Sequence, residues 1–266
     1  MTEAEAGPDI AESPDRIPSS WPPALGFVIG VALMLGAAAG SFSGGSIYIW
    51  LGVLSAQAIL IATWHRLLGA PAAETGMIVG ALLIAAADIA IAVSDIADRP
   101  VSFGPIAAVL AVGYLLAIVQ QLARRDDRHD LTLSLSATVS LAAIGALGAG
   151  WAVLPQLAQG DEVTVVAATA VTAATVGRNA PRLVGAIAVP LIASVVTGML
   201  MGRAFSDEVG VELGAYIGFA AAIPVVLAAV AWLRFPGRSK GWQASAVWPI
   251  LLAVPLIYLV LRFSGH

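Results

Sequence analysis

Residues 104–123 read GPIAAVLAVGYLLAIVQQLA, and the next seven, Arg124 to Asp130, contain no apolar residue. The first stretch has no charge over twenty positions. It shows no apolar–polar alternation, so it does not read as a barrel strand. About twenty such residues, wound as a helix at 1.5 Å each, cross the hydrocarbon core of a bilayer. A spanning segment in lipid must satisfy its own backbone, which leaves helices and closed barrels. This stretch therefore reads as a transmembrane helix that ends in a solvated loop.

The same pattern recurs along the chain. It predicts spans at 23–40, 46–64, 76–93, 104–123, 131–153, 163–177, 182–202, 209–233 and 245–262. The expected fold is an all-α polytopic transmembrane bundle of about nine spans, forming one domain over 23–262. Composition agrees. The 266 residues are 59% hydrophobic and only 11% charged, with a mean hydropathy of +0.90. A soluble chain carries about 25% charged residues, so lipid is expected to be the solvent for much of this surface. The sixth run is the shortest and holds Thr164, Thr169, Thr172 and Thr175. A re-entrant segment is the alternative reading there.

Residues 1–22 carry Glu3, Glu5, Asp9, Glu12 and Asp15 against Arg16, with Pro8, Pro14 and Pro18 between them. This reads as a disordered acidic tail. It lacks the basic opening of a signal peptide. Nine crossings place Arg16, Arg66, Arg124, Arg125, Arg128, Arg178, Arg182, Arg234, Arg238 and Lys240 on the side of the N-terminus, and Arg99, Arg203 and Arg262 on the other. Basic residues collect in cytoplasmic loops, so the N-terminus is expected in the cytoplasm. Without a sixth crossing the split is nine against four and the assignment is unchanged. The scarcity of Lys beside Arg and the abundance of Ala suggest a GC-rich bacterial genome, and hence the bacterial inner membrane.

Chemistry-bearing residues are few. Asp88 is the one acid well inside an expected span. A charge at that depth costs about 2.5–3.5 kcal/mol, and burial disfavours the charged form, so a neutral acid bonded to Gln57 of the second span or to a threonine of the sixth is expected. It is the candidate for binding a proton or a polar substrate. Asp95, two turns further along, would extend a polar ladder outward and pairs by spacing with Arg99. Asp95, Asp98 and Arg99 also read simply as a solvated helix end. The run Arg124–Asp130 reads as a solvated anchor, because three arginines oppose a cation there. His65 and Arg66 close the second span at the interface, where snorkelling accounts for both.

Pro190, Pro224 and Pro255 interrupt late spans. Each frees a carbonyl, so they mark either a cavity or hinge among the last three helices or ordinary kinks. Gly210, Gly214 and Gly218 form a small-residue ridge suited to helix packing. Gly26 and Gly30, Gly36 and Gly40, and Gly76 and Gly80 repeat the spacing elsewhere.

No cysteine is present, and no nucleotide loop, zinc motif or nucleophile elbow occurs. No catalytic residue, metal site or cofactor is expected. No basic stripe suggests nucleic acid. The expected partners are the bilayer and either another membrane protein or a second copy. The leading expectation is a non-enzymatic permease-like transporter or a membrane subunit of a larger assembly. The rival is an enzyme acting on a lipid or polyprenyl substrate at the cytoplasmic face, built from His65, Arg124–Asp130, Arg178 and Arg182.

Overall fold

The structure is a computed structural model that describes residues 21–43, 47–70, 73–96, 103–123, 130–157, 160–178, 182–234 and 241–264. Residues 1–20 of the acidic tail, the loop Arg124–His129 and the stretch holding Asp98, Arg99 and Pro100 lie outside the described residues, as does the side chain of Asp95, while Trp21 and Pro22, expected in the tail, begin the first helix.

Among the described residues there are nine α-helices and no strand: α1 (Trp21–Ser43), α2 (Ile47–Leu68), α3 (Ala73–Ile96), α4 (Gly104–Ala123), α5 (Leu131–Gly148), α6 (Gly160–Gly177), α7 (Leu183–Ala204), α8 (Gly210–Arg234) and α9 (Trp242–Ser264). The chain is an all-α polytopic helix bundle. Seven helices, α2 to α5 and α7 to α9, are long and apolar enough to cross a membrane. The apolar part of α1, Ala24–Ala39, is shorter. α6 opens with Asp161 and Glu162 in its first turn and carries the four threonines, which lower its apolarity.

Two groups of helices meet on α9. One is α2 to α5; in the other, α6 packs on α1, α7 and α8. α9 touches α1, α2, α5 and α8. α4 and α7 are peripheral, with only 22% of each span buried in the protein, so most of their surface is left to lipid. α6 is the reverse, buried along most of its length. Its threonines fit there because their hydroxyls bond the same helix: Thr169 donates to the Val165 carbonyl at 2.6 Å, Thr172 to that of Ala168 at 2.7 Å and Thr175 to that of Thr172 at 2.7 Å. Such back-bonding leaves no hydroxyl hydrogen unpaired in an apolar setting.

α7 and α8 meet along facing small residues. A Cβ built on Gly198 would overlap the Gly214 carbonyl, one on Gly214 the Gly198 carbonyl, and one on Gly218 the Ser194 carbonyl. Backbones this close need glycine on both sides. Gly210 differs from the two residues above it. Its φ is +74° and no atom stands where its Cβ would point, so it serves the turn into α8. Between the ridges, the buried Ser194 hydroxyl lies 2.9 Å from the Ala170 carbonyl and 2.7 Å from the Gly218 carbonyl, linking α7 to both α6 and α8.

The span expected at 131–153 is found as Leu131–Gln156, but α5 is not α-helical throughout. It ends at Gly148 and continues as two 3₁₀ turns, Ala149–Ala152 and Leu154–Gln156. Trp151 to Leu154 are fully buried, although Leu154 reads in sequence as the start of a loop. The Trp151 indole donates to the Ile250 carbonyl of α9 at 3.1 Å. Gly160 lets the returning chain pass against Leu154 and Pro155, whose backbone atoms stand where a Cβ would sit.

Candidate functional site

The polar centre of the α2–α3–α5 group is Gln57. It lies on the buried face of α2 with Val53, Ala56, Leu60 and Trp64. Its Nε2 donates to Asp88 Oδ1 of α3 at 2.9 Å and to the Gly145 carbonyl of α5 at 3.0 Å. Both amide hydrogens are therefore used, and three helices are tied by one side chain. A Cβ at Gly145 would overlap the side chain of Ile84, so glycine there lets α3 lie close against α5. The Gln57 Oε1 is buried and has no partner. Asp88 is part-buried and sits eight residues before the end of α3, about 12 Å along the axis. Of the two partners expected from the sequence, the structure gives Asp88 the glutamine. The threonines of α6 bond their own helix instead.

Towards the α2 C-terminus the same three helices enclose His65. It does not snorkel: it is 2% exposed, while the adjacent Arg66 is exposed. Its Nε2 and Thr138 Oγ1 of α5 both crowd the place where a Cβ on Gly76 of α3 would sit. Neither ring nitrogen has a partner. Next to it, the Trp64 indole lies 3.1 Å from the Ala137 carbonyl and 3.0 Å from Ser140 Oγ. Leu60 and Leu141, both fully buried, come from α2 and α5, between the positions of His65 and Gln57 in the first and of Thr138 and Gly145 in the second. A Cβ on Gly80 would overlap the Leu141 side chain.

No protein-family model, no curated protein and no solved structure matches this chain.

Arg178, which the sequence places in a loop, is buried beyond the end of α6. Its Nη1 donates to the Ser245 carbonyl of α9 at 2.6 Å and its Nη2 lies 3.4 Å from the Ala228 carbonyl of α8. Ser245 stands four residues before Pro249, inside α9. Pro249 has no N–H to give that carbonyl, and Arg178 supplies one. Burial pushes the guanidinium down to about 10, so it stays charged at neutral pH. Pro249 is the helix proline that the sequence reading missed. The signal was its spacing from Ser245 within the last span.

Pro190 and Pro224 are buried and Pro255 part-buried. Pro190 lies against Gly177, where a Cβ would come within 2.9 Å of the proline nitrogen. Two apolar grooves are found elsewhere. One of about 690 Å³ lies between α3 and α4, lined by Leu83, Ala86, Val109 and Leu116; the other, of about 610 Å³, lies between α1 and α2. Asp88 lines neither. Among the described residues no three His, Asp or Glu side chains come together as a metal site.

Proposed function

We propose that this chain is a permease-like transporter of a bacterial inner membrane, crossing nine times with its N-terminus in the cytoplasm, and that Asp88 is its substrate- or proton-binding residue. The observation that carries the reading is the link Asp88–Gln57–Gly145. An intramembrane carboxyl is expensive and is retained where a pathway uses it. Here it is held by an amide with no hydrogen left to give, at the meeting of three helices. A group whose ligation changes there acts on the contacts of all three. Asp95 would extend the path outward from the same helix.

The rival enzyme at the cytoplasmic face loses two of its residues. Arg178 faces the carbonyls of α8 and α9, and His65 faces the interior. The Gly214–Gly218 ridge, a candidate surface for an assembly partner, is covered by α7 of the same chain.

The test is reconstitution into vesicles with an entrapped pH dye and a panel of small solutes, both polar and lipid-soluble. The expected result is solute-dependent proton movement that Asp88→Asn abolishes and Asp88→Glu partly keeps. Equal rates in Asp88→Asn and wild type would remove Asp88 from the pathway. No movement of any solute by the wild type would leave the chain as a subunit of an assembly.

A further inference from the structure

We infer that the Asp88 site is entered sideways from the bilayer, through the seam between α2 and α3, by an uncharged lipid-soluble molecule whose head accepts a hydrogen bond. The inference names the ligand class for Asp88 and rests on the reading of that residue as a binding group.

The geometry assigns the two carboxyl oxygens different roles. Oδ1 accepts from Gln57, so in the neutral acid Oδ1 is the carbonyl oxygen and the proton sits on Oδ2. Gln57 cannot turn to serve Oδ2, since its other amide hydrogen is held by the Gly145 carbonyl. Among the described residues Asp88 makes no other hydrogen bond. Its hydroxyl is therefore a donor without an acceptor.

Asp88 is also not enclosed. It occupies the flank of α3 between the buried stripe of Ile84, Ala87 and Ile91 and an exposed face that includes Ala85 and Ile89. Ile89 is 63% exposed. On the partner helix, the residues flanking Gln57 on the outer side, Leu54 and Ala58, are exposed as well, Leu54 by 47%. Exposed apolar side chains in a membrane span meet hydrocarbon. Ala58 of α2 and Ala85 of α3, both exposed, and the part-buried Ala81 place only methyl groups on these flanks. A molecule reaching the acid by this route comes from the lipid, is uncharged because hydrocarbon rejects ions, and offers an oxygen or nitrogen lone pair to the Oδ2 hydroxyl.

Two carbodiimides separate this route from an aqueous one. Dicyclohexylcarbodiimide dissolves in lipid, and its cationic water-soluble analogue does not. The carboxyl O–H adds across one C=N bond, the proton going to nitrogen and the oxygen to the central carbon. The O-acylisourea then rearranges by acyl transfer from oxygen to nitrogen, giving an N-acylurea that keeps every atom of both reactants. With the full chain in lipid vesicles, mass spectrometry should find one adduct from the lipid-soluble reagent on the peptide holding Asp88. The cationic reagent should label it on the order of a hundredfold more slowly. Asp88→Asn should give none at that position, and a long-chain alcohol should slow the labelling where the alkane of equal length does not.

Equal labelling by both reagents means entry through water and overturns the inference. So does no labelling by either in a chain that melts as a folded protein. An alcohol no more protective than the alkane overturns the ligand class. Labelling with this pattern in a chain that moves no solute removes the transporter reading and leaves the lateral site standing.

Discussion

Replacing Arg178 by Met should destabilise the protein, and Pro249→Ala should take away much of the effect. Arg178 makes two hydrogen bonds to carbonyls, each worth about 1.5–3 kcal/mol when the donor is charged. Against this stands its desolvation. Burial lowers the guanidinium from its usual value to about 10, which corresponds to about 3 kcal/mol at 1.36 kcal/mol per tenfold change. At the low end of that range, about 3 kcal/mol for the two bonds together, the terms offset each other and the pair as a whole contributes little. What methionine adds is a stranded Ser245 carbonyl, which costs about 1–3 kcal/mol when left unpaired in a buried place. The expected loss for Arg178→Met is therefore about 1–3 kcal/mol. Alanine at position 249 restores the N–H that Ser245 lacks. In that background Arg178→Met should lose about 1–2 kcal/mol less, the part belonging to the carbonyl. Reversible chemical unfolding in detergent, applied to the four members of the cycle, measures this coupling. If the two substitutions add within about 0.5 kcal/mol, as independent sites do, Arg178 does not act through the proline-freed carbonyl and the reasoning fails.

Gly214→Ala should destabilise more than Gly210→Ala in the same unfolding assay. The first forces α7 and α8 apart, an overpacking that costs about 1–3 kcal/mol, whereas the second meets only left-handed strain of about 1–2 kcal/mol. Ser194→Ala should lose about 1 kcal/mol, the value of one buried hydrogen bond, while Ser264→Ala at the exposed end of α9 should lose nothing measurable. Gln57→Leu should lower stability by about 0.6–1.7 kcal/mol, the range for interhelical hydrogen bonds in membranes; a variant as stable as wild type would show that the amide does not tie α2 to α3.

Much of the fold was legible because apolar run length is decided by bilayer thickness and not by tertiary detail. The span expected at 104–123 is α4 to the residue, and the ends of α1 and α9 moved by only two or three residues. The 3₁₀ form of the fifth span beyond Gly148 was not legible, because hydropathy cannot distinguish an α-helix from a 3₁₀ turn when both are buried. The Gln57–Asp88 pair was legible as one of two options, since few polar side chains exist at that depth. Arg178 and His65 were not. A charge counted as a loop marker, or a histidine at a helix end, says nothing about which neighbour covers it. That information lies in α8, α9 and α5, far along the chain.

The threonine-rich helix at the centre has a consequence for how the molecule is made. α6 is less apolar than the other helices, with two acids and four threonines, and its neighbours α7 and α8 are synthesised after it. An emerging chain therefore has α1 to set beside this segment but completes its surroundings only when α7 and α8 arrive. The ribosome must deliver roughly the last third of the protein before the middle is secure, and truncations after α6 should be cleared by membrane proteases where truncations after α4 survive.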